Sequence, residues 1–363
     1  MNPEPAPPPA AWRRVEAWLE ARLEALLVRH WWQPRPTALS RALWPVSQLY
    51  RLLLAIHRVR SPPPQALPVP VLVVGNHVVG GAGKTPTVIA LVQALQAAGR
   101  RPGVVSRGHG RRHDAVQLVG PYADPAEVGD EPLLIRRRCA VPVWVGRQRH
   151  AVALALCQAH PEVDVIVADD GLQHAALPRQ AELVVFDERG AGNGLLLPAG
   201  PLREPLPAAV PPHRRVLYTA GHASTVLPGG MATRSLGLAW PLAAWHRGDA
   251  SQALTLAQLQ GHPLLAAAGV AAPQKFFGML QAAGLSITPL PLPDHHAYDT
   301  LPWPADTPDV VTTEKDAVKL DPARLGGTRV WIVPLDLALP PALVSELLKL
   351  LPAASPRPPE AAP

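Results

Sequence analysis

Short apolar runs alternate with helix-like patterns along most of the chain. The runs contain Val or Ile, and several of them are followed by a stretch whose apolar residues recur at helical spacing. In the first part of the chain the runs that predict strands are residues 71–74, 101–106, 141–146, 163–169 and 182–187. Strands that alternate with helices predict a parallel sheet whose ligands bind at the carboxyl ends of the strands.

A second series of alternating elements follows a proline-rich segment at residues 205–212. We expect this series to begin with a strand in VLYTA, residues 216–220. The series includes an apolar Ala/Gly segment at 264–270. Its later strands are expected at 286–292, 310–312 and 330–333, and its helices at 272–280 and 341–351. The prediction is therefore a core domain over residues 37–210, a smaller α/β domain over residues 211–351 and a disordered low-complexity tail over residues 352–363.

Two amphipathic helices are predicted ahead of the first strand. In residues 11–32 Trp, Leu and Val recur near a spacing of 3.6, within an N-terminal extension that covers residues 1–36. A second helix is expected from about Thr37 to Arg60, kinked or restarted at Pro45. Apolar faces flanked by Arg are typical of helices that lie on a membrane surface. The alternative is that both helices pack on the protein.

The first strand leads into the sequence VPVLVVGNHVVGGAGKTPT, residues 69–87. A strand, a glycine-rich turn, Gly-Lys-Thr and a helix follow one another as in a phosphate-binding P-loop. The predicted phosphate cradle is the backbone of Val78, Val79, Gly80, Gly81, Ala82 and Gly83, together with the side chain of Lys84. The P-loop pattern requires Gly where this chain has Val78, so a glycine-rich turn with a surface lysine stays open as the alternative.

Acidic and basic residues follow several of the predicted strands. Asp169 and Asp170 end an apolar strand, and a P-loop protein uses such residues with the hydroxyl of Thr85 to hold Mg²⁺. Arg107 and Arg149 follow two other strands, where they could neutralise phosphate oxygens. A solvated basic turn is the alternative for Arg107.

Asp130 begins a predicted helix within VGDEPLL, residues 128–134. A carboxylate at the start of a helix is favoured for structural reasons alone. The residues leave capping and chemistry equally open for this side chain.

The charge, the cysteines and the apolar segments of the chain restrict its partners and its class. A net charge of +6 and a pI near 9.7 favour an anionic partner, such as nucleic acid, anionic lipid or a phosphorylated substrate. Cys139 and Cys157 lack metal-ligand spacing and are expected to be core thiols. The chain shows no apolar signal-peptide segment and no uncharged apolar run of the length that would span a membrane.

Taken in order, the motifs resemble those of the tetraacyldisaccharide 4'-kinase family. They are GNHVVGGAGKTP, VVSRGHGR, VGDEPLL, DDGLQH, GNGLLLPAGPLREP, PQKFF, PDHHAY and TTEKDAVKL. The resemblance runs from about residue 37 to residue 345. Members of the family are similar in lacking Gly at the position of Val78. The family usually has Tyr where this chain has His109, and Phe where it has Leu292. Together the patterns and the resemblance predict an α/β chain with a P-loop NTPase-like parallel sheet flanked by helices, a second smaller α/β domain and N-terminal amphipathic helices.

The resemblance implies an activity and roles for particular residues. The family transfers the γ-phosphate of ATP to the 4'-hydroxyl of an acylated glucosamine disaccharide 1-phosphate in lipid A biosynthesis, as a peripheral protein on the cytoplasmic face of the inner membrane. By resemblance Asp130 accepts the hydroxyl proton and His295 orients or assists it. Lys84 and Arg149 complete the catalytic set, and Gln173 and His174 position the acceptor or the nucleotide. The oligomeric state is left open.

Two other classes of protein are alternatives. A membrane-associated P-loop ATPase or GTPase switch would fit the P-loop, but TEKD at residues 313–316 has the wrong spacing for a guanine-reading motif. A nucleic-acid binder rests on the basic charge alone, since no recognised module interleaves aromatic with basic residues. We therefore expect a lipid substrate and a membrane surface as partners, and no nucleic acid.

Overall fold

The computed structural model describes residue 22 and residues 26–353. Their contacts define two compact units. The first consists of the described residues up to 61 with segments 77–79 and 189–208, and the second contains residues 62–76, 80–188 and those from 209 onward. The domain division predicted at residue 210 stays a prediction.

The first unit is organised around one long helix, α1, Ala38–Arg60. Thr37 caps its N-terminus, because its hydroxyl accepts the N–H of Ser40. The helix continues through Pro45 and does not restart there, because a proline removes one backbone bond and the turns on either side keep theirs. The kink that was predicted as the other possibility stays a prediction. Residues 26–31 are also helical, but most of the helix predicted over residues 11–32 lies outside the described residues, as do residues 354–363 of the predicted tail.

The loop at residues 189–208 packs beside α1 within this first unit. Ser47 donates from Oγ to the carbonyl of Leu196 at 2.8 Å, and the Tyr50 hydroxyl donates to the carbonyl of Arg203 at 2.9 Å. Val78, Leu196 and Leu202 form a small buried apolar cluster. Small and polar side chains, rather than the large apolar ones, therefore hold α1 to its unit.

The larger sheet of the second unit has eight strands in the order β3-β4-β2-β5-β1-β6-β7-β8. These strands are β1 Val71–Gly75, β2 Pro102–Ser106, β3 Gln117–Leu118, β4 Val143–Val145, β5 Val165–Asp169, β6 Ala181–Phe186, β7 Arg214–Tyr218 and β8 Gly230–Met231. All neighbours are parallel except β3, which is antiparallel to β4. Strands β1, β5 and β6 are buried along their whole length, which explains their continuous apolar sequences.

The VLYTA segment belongs to this sheet and does not begin the second series, contrary to the prediction. Its strand, β7, pairs in parallel with β6 from Glu182↔Arg214 to Phe186↔Tyr218. The proline-rich segment before β7 is therefore a connection within one sheet. Sheet membership depends on pairing with a distant strand, which local composition cannot show.

The helices of the second unit all lie between strands along the chain except the last. They are α2 Lys84–Ala97, α3 Pro125–Val128, α4 Asp130–Cys139, α5 Arg149–Ala159, α6 Leu242–Arg247, α7 Pro273–Ala282, α8 Glu314–Ala317 and α9 Pro341–Leu350. Short 3₁₀ turns lie at Ala250–Gln252, Leu256–Leu259 and Pro322–Arg324. Within the part of the chain that the structure describes, none of the helices combines the length and apolar character needed to cross a membrane.

A second sheet has five strands in the order β10-β14-β13-β11-β12. They are β10 Trp240–Pro241, β11 Leu264–Ala268, β12 Ile287–Pro291, β13 Asp309–Thr312 and β14 Arg329–Ile332. Strands β9 Thr233–Leu236 and β15 Leu335–Ala338 form a separate antiparallel pair. Phe276, Phe277 and Leu280 of α7 pack with β11 in a core of their own.

Candidate active site

The P-loop lies where β1 ends and α2 begins. Gly83 is the N-cap of α2 with φ +84°, a backbone conformation that favours glycine. Lys84 begins the helix, and its Nζ lies 3.2 Å from Asn76 Oδ1 and 3.6 Å from Asp170 Oδ1. Because the N-terminus of α2 presents unbonded N–H groups beside this ammonium, the site favours an anion.

The segment ahead of these residues differs from a glycine loop. Val78 is fully buried and forms a bridge with Leu202. Val79 donates its backbone N–H to the carbonyl of Pro201 at 2.9 Å. Gly80 and Gly81 are exposed, whereas Ala82 is buried. The N–H of Val79 is thus engaged within the protein, and the exposed part of the predicted phosphate cradle begins at Gly80.

Two acidic residues end β5, the strand beside β1. Asp169 is buried; its Oδ2 accepts the Ser106 hydroxyl at 2.9 Å, and its Oδ1 has no hydrogen-bond partner among the described residues. Burial, followed by the charges of Glu131 and Asp170, raises the pKa of Asp169 to about 7. Asp170 follows in a left-handed conformation, φ +48°. A buried carboxylate oxygen without a partner is suited to a cation.

These features fit the Mg²⁺ site that the sequence predicts. Within the described residues no group of three or more His, Cys, Asp or Glu side chains could hold a metal ion. Mg²⁺ is usually held by one or two carboxylates and the substrate phosphates, so Asp169, Asp170 and the hydroxyl of Thr85 suffice chemically. The magnesium assignment stays a prediction.

The remaining predicted phosphate residues surround this acidic pair. Arg149, the first residue of α5, is buried; it donates to the carbonyl of Gly146 at 2.6 Å, and its Nε has no partner among the described residues. Burial is the main reason that the pKa of Arg149 falls to about 10. Arg107 is exposed and lies close enough to Arg149 for their charges to oppose each other.

Gln173 and His174 follow the acidic pair in the chain. Gln173 donates from Nε2 to the carbonyl of Asn76 at 3.1 Å, which connects this loop to the end of β1. Burial and then the charge of Arg149 lower the pKa of His174 to about 4. His174 is therefore neutral near pH 7.

Asp130 and His295 form a second group of polar side chains. Asp130 begins α4, and its Oδ1 accepts the N–H of Glu131 at 2.8 Å. His295 Nδ1 lies 2.9 Å from Asp130 Oδ2, and Lys319 Nζ lies 3.8 Å from the same oxygen. Burial alone would raise the pKa of Asp130, but the His295 hydrogen bond and nearby lysine charges outweigh it, so this pKa is lowered. Asp130 is therefore ionised at neutral pH.

The structure thus brings the predicted residues together in two clusters. Lys84 and Asp170 form one with Asn76, and Asp130 and His295 form the other. The charge of Glu131, next to Asp130, also acts on Asp169. Five further side chains take part in these contacts and carry no sequence signal of their own, although all lie in or next to the motifs: Asn76, Ser106, Glu131, Lys315 and Lys319.

A cavity of about 630 Å³ lies beside the P-loop in the same unit. Its lining includes Arg234, Lys275, Glu188 and His222. Arg234 donates to Thr219 Oγ1 at 2.6 Å, and this oxygen lies 3.4 Å from the carbonyl of Ala82. The volume is within the range of small-molecule and cofactor sites.

A P-loop at the centre of a parallel sheet, an acidic pair on the neighbouring strand and an ionised carboxylate paired with histidine define a P-loop kinase. The family model described as tetraacyldisaccharide-1-P 4'-kinase matches residues 39–352. The chain belongs to this family. The resemblance predicted from the motifs and the predicted α/β fold class are therefore confirmed, and the switch alternative is not favoured.

Two relatives and one solved structure illustrate the similarity. The tetraacyldisaccharide 4'-kinase of Leptothrix cholodnii is 52% identical over 343 residues, which cover 92% of this chain and 98% of the relative. That of Methylibium petroleiphilum is 52% identical over 361 residues, 97% and 99% of the two chains. The "apo" form of LpxK from Aquifex aeolicus, in complex with ATP, is 25% identical with a TM-score of 0.69 and covers 86% of this chain and 99% of its own.

Proposed function

We propose that this protein transfers the γ-phosphate of ATP to the 4'-hydroxyl of a tetraacylated glucosamine disaccharide 1-phosphate, forming lipid IVA. The observation that carries the proposal is a buried, ionised Asp130, paired with His295, in the same unit as the P-loop lysine. An acceptor hydroxyl has a proton that must go to a base, and Asp130 is suited to accept it. The basic charge of the chain is assigned to phosphate and lipid ligands, not to nucleic acid.

On the nucleotide side, the N-terminus of α2, Lys84 and Arg149 bind and neutralise phosphate oxygens. Thr85, Asp169 and Asp170 would hold Mg²⁺, which when bound neutralises charge on the β- and γ-phosphates. Arg107, Gln173 and His174 border this position. The cavity beside the P-loop has room for the nucleoside of ATP.

On the acceptor side, the 4'-oxygen attacks the γ-phosphorus while the bond from that phosphorus to the β–γ bridging oxygen breaks. The phosphate ester and ADP are the products, and the hydroxyl proton goes to Asp130. Because its lowered pKa makes Asp130 a weak base, proton transfer is late and concerted with P–O bond formation. Positioning and charge stabilisation supply most of the catalysis.

We further propose that the protein is peripheral on the cytoplasmic face of the inner membrane, with α1 against the lipid. Large apolar side chains on this helix are 39% to 86% exposed, namely Trp44, Val46, Leu49, Leu52, Leu53, Ile56 and Val59. Exposed arginines at 41, 51, 58 and 60 accompany them. Apolar residues with flanking arginines suit a surface of anionic headgroups over acyl chains.

Lipid binding can be measured by flotation with vesicles that contain anionic phospholipid. The Leu52→Glu and Leu53→Glu double variant should lose most vesicle binding, because it places two charges on the apolar surface of α1. Val226→Glu is the matched control, since Val226 is 94% exposed in the other unit. Equal binding by wild type and the double variant would contradict the membrane proposal.

The activity itself is tested by incubating the purified protein with Mg-ATP and the tetraacyl disaccharide 1-phosphate. A bis-phosphorylated lipid, detected by mass spectrometry, is the expected product, with one ADP formed per lipid. ATP hydrolysis by folded protein without lipid product would instead support a P-loop switch.

A further inference from the structure

Lys315 lies beside the Asp130–His295 pair and contacts His295 directly. Its Nζ lies 3.1 Å from Glu131 Oε1, 3.1 Å from Asp294 Oδ1 and 3.2 Å from His295 Nε2. An ammonium group has three N–H donors and no acceptor. The three contacts therefore use the whole hydrogen-bonding capacity of the lysine, and one of them is to the imidazole.

This contact determines which ring nitrogen of His295 carries the proton. A nitrogen that accepts a hydrogen bond from an ammonium group must present a lone pair, so Nε2 is unprotonated and the proton of the neutral ring is on Nδ1. We propose that Lys315 is a positioning residue that fixes His295 as the Nδ1–H tautomer. In this tautomer Nδ1 donates to Asp130 Oδ2, 2.9 Å away.

The tautomer has a consequence for the reaction, which rests on the proposed function. If His295 took a second proton, its Nε2–H would face the Lys315 ammonium at 3.2 Å, and the two like charges would repel. The proton removed from the acceptor hydroxyl therefore stays on Asp130. His295 orients the carboxylate as a neutral donor and does not relay the proton.

The backbone also holds His295 in place for this role. His295 has φ +58°, unusual for a residue with a side chain, and its N–H donates to the carbonyl of Gly269 at 3.2 Å and to Asp294 Oδ1 at 3.0 Å. The charged and titratable groups around it are Asp130 on α4, Asp294 beside it, Lys315 on α8 with its partner Glu131, Lys319 just beyond α8, and His109, whose ring centre is 5.4 Å away.

The charges around the Asp130–His295 pair have opposing effects on the pKa of His295. The Asp130 hydrogen bond is the main reason that the pKa of His295 is raised, while burial and the Lys315 ammonium both oppose protonation. Burial disfavours the charge of Lys315, but Glu131, Asp130 and Asp294 outweigh it and raise the pKa of that lysine. Lys315 therefore keeps its charge over the working pH range and limits protonation of the ring.

The first test is the pH dependence of kcat/KM with Mg-ATP and the disaccharide 1-phosphate. In Lys315→Met, the fall of kcat/KM at low pH (the acidic limb of the profile) should move to higher pH by about one unit. Removing a neighbouring cation favours the protonated forms of Asp130 and His295. Lys315→Arg keeps a cationic donor and should leave the limb near its wild-type position. Lys349→Met, at an exposed lysine of α9, should match wild type throughout. A folded Lys315→Met protein with an unmoved limb overturns the proposal.

The second test needs no substrate. In ¹⁵N-histidine-labelled protein, two-bond proton–nitrogen correlation spectra distinguish the two tautomers, and His295→Gln identifies the resonances of His295. Wild type and Lys319→Met should both have the Nδ1–H pattern, since Lys319 lies near Asp130 and is not hydrogen-bonded to the ring. Lys315→Met should have a mixture or the imidazolium pattern. An Nε2–H pattern in wild type overturns the proposal.

The two tests separate this proposal from the function on which it rests. Wild-type protein that forms no phosphorylated lipid contradicts the proposed function, while the spectra still decide the tautomer. Wild-type protein that is active but has the Nε2–H pattern contradicts only the role of Lys315.

Discussion

Asp130 and Asp169 are buried carboxylates in the same unit, and the protein treats them in opposite ways. Both oxygens of Asp130 have hydrogen-bond partners, and the His295 hydrogen bond together with the charges of Lys315 and Lys319 outweighs burial, so its pKa is lowered. Asp169 has one oxygen bonded to Ser106 and another with no partner among the described residues, and its pKa is about 7. The protein thus supplies hydrogen-bond partners for both oxygens of Asp130 but for only one oxygen of Asp169.

The difference indicates when each carboxylate must be charged. A base that receives a proton from an incoming hydroxyl must be ionised before the substrate arrives, so His295, Lys315 and Lys319 keep Asp130 charged in advance. A metal ligand can obtain its charge partner from the ion itself, and a bound cation favours ionisation. Asp169 is consistent with the second role, since a permanent protein cation at its free oxygen would compete with Mg²⁺.

Removal of the Asp130 carboxylate should have the largest effect. Asp130→Asn should lower kcat by about 10²- to 10⁴-fold, the usual contribution of a general base, because the amide cannot accept the hydroxyl proton. ATP affinity should change little, since Lys84, Thr85 and Asp169 are unaltered. Steady-state kinetics and equilibrium nucleotide binding measure the two effects. Glu162→Gln, at an exposed carboxylate, is the control.

Retained turnover in folded Asp130→Asn would show that Asp130 is not the base, and the contrast with Asp169 as a metal ligand would then fail. Asp130 would then be a structural residue at the start of α4, as its position as the first helical residue allows. A parallel loss of ATP affinity would instead place Asp130 in the nucleotide site.

The sequence predicted the nucleotide side of this comparison better than the acceptor side. Strands β1, β2 and β5 end close to where their Val- and Ile-rich runs predict, so Lys84, Asp169 and Asp170 could be located from local patterns. That these three residues lie near one another also follows from the layout of a parallel sheet, because the carboxyl ends of its strands lie at the same edge. Local patterns identify strands well because each buried strand has its own apolar sequence.

The acceptor side depends on residues far apart in the chain. His295 and Asp130 are 165 positions apart, and Lys315 and Glu131 are 184 apart. No periodicity connects such residues, and the family resemblance alone suggested the first pair. The same reason explains the error at β7, whose sheet is decided by pairing with β6. Lys315 and Lys319 belong to the TTEKDAVKL motif, but no role could be predicted for them because their partners lie in distant parts of the chain.

Folding stability should also separate the two carboxylates. The pKa of Asp169 is about 7 in the folded protein against an ordinary 3.8, so the folded state binds this proton more tightly than the unfolded chain does. Its contribution to stability is therefore full at low pH and is lost as pH rises from about 4 to about 7. In EDTA, Asp169→Asn should be more stable than wild type at pH 8, by roughly a few kcal/mol, and the difference should shrink as the pH falls.

Urea titrations at several pH values measure this difference. Asp130→Asn should behave oppositely, because a lowered pKa adds stability that is present at neutral pH and lost as pH falls. Added Mg²⁺ should stabilise wild type and not Asp169→Asn. If the two variants have the same pH dependence, the contrast between the carboxylates is wrong.

The hydrogen bond from Ser106 should give the smallest effect. It lowers the pKa of Asp169, so Ser106→Ala should raise that pKa and leave more of the carboxylate protonated near pH 7. At subsaturating Mg²⁺ the activity of this variant should be reduced severalfold at pH 7 and recover at pH 8.5 or at high Mg²⁺. Ser251→Ala, which alters an exposed turn, is the control. If neither higher pH nor added Mg²⁺ restores the lost activity, Ser106 stabilises the strand and does not control the pKa of Asp169.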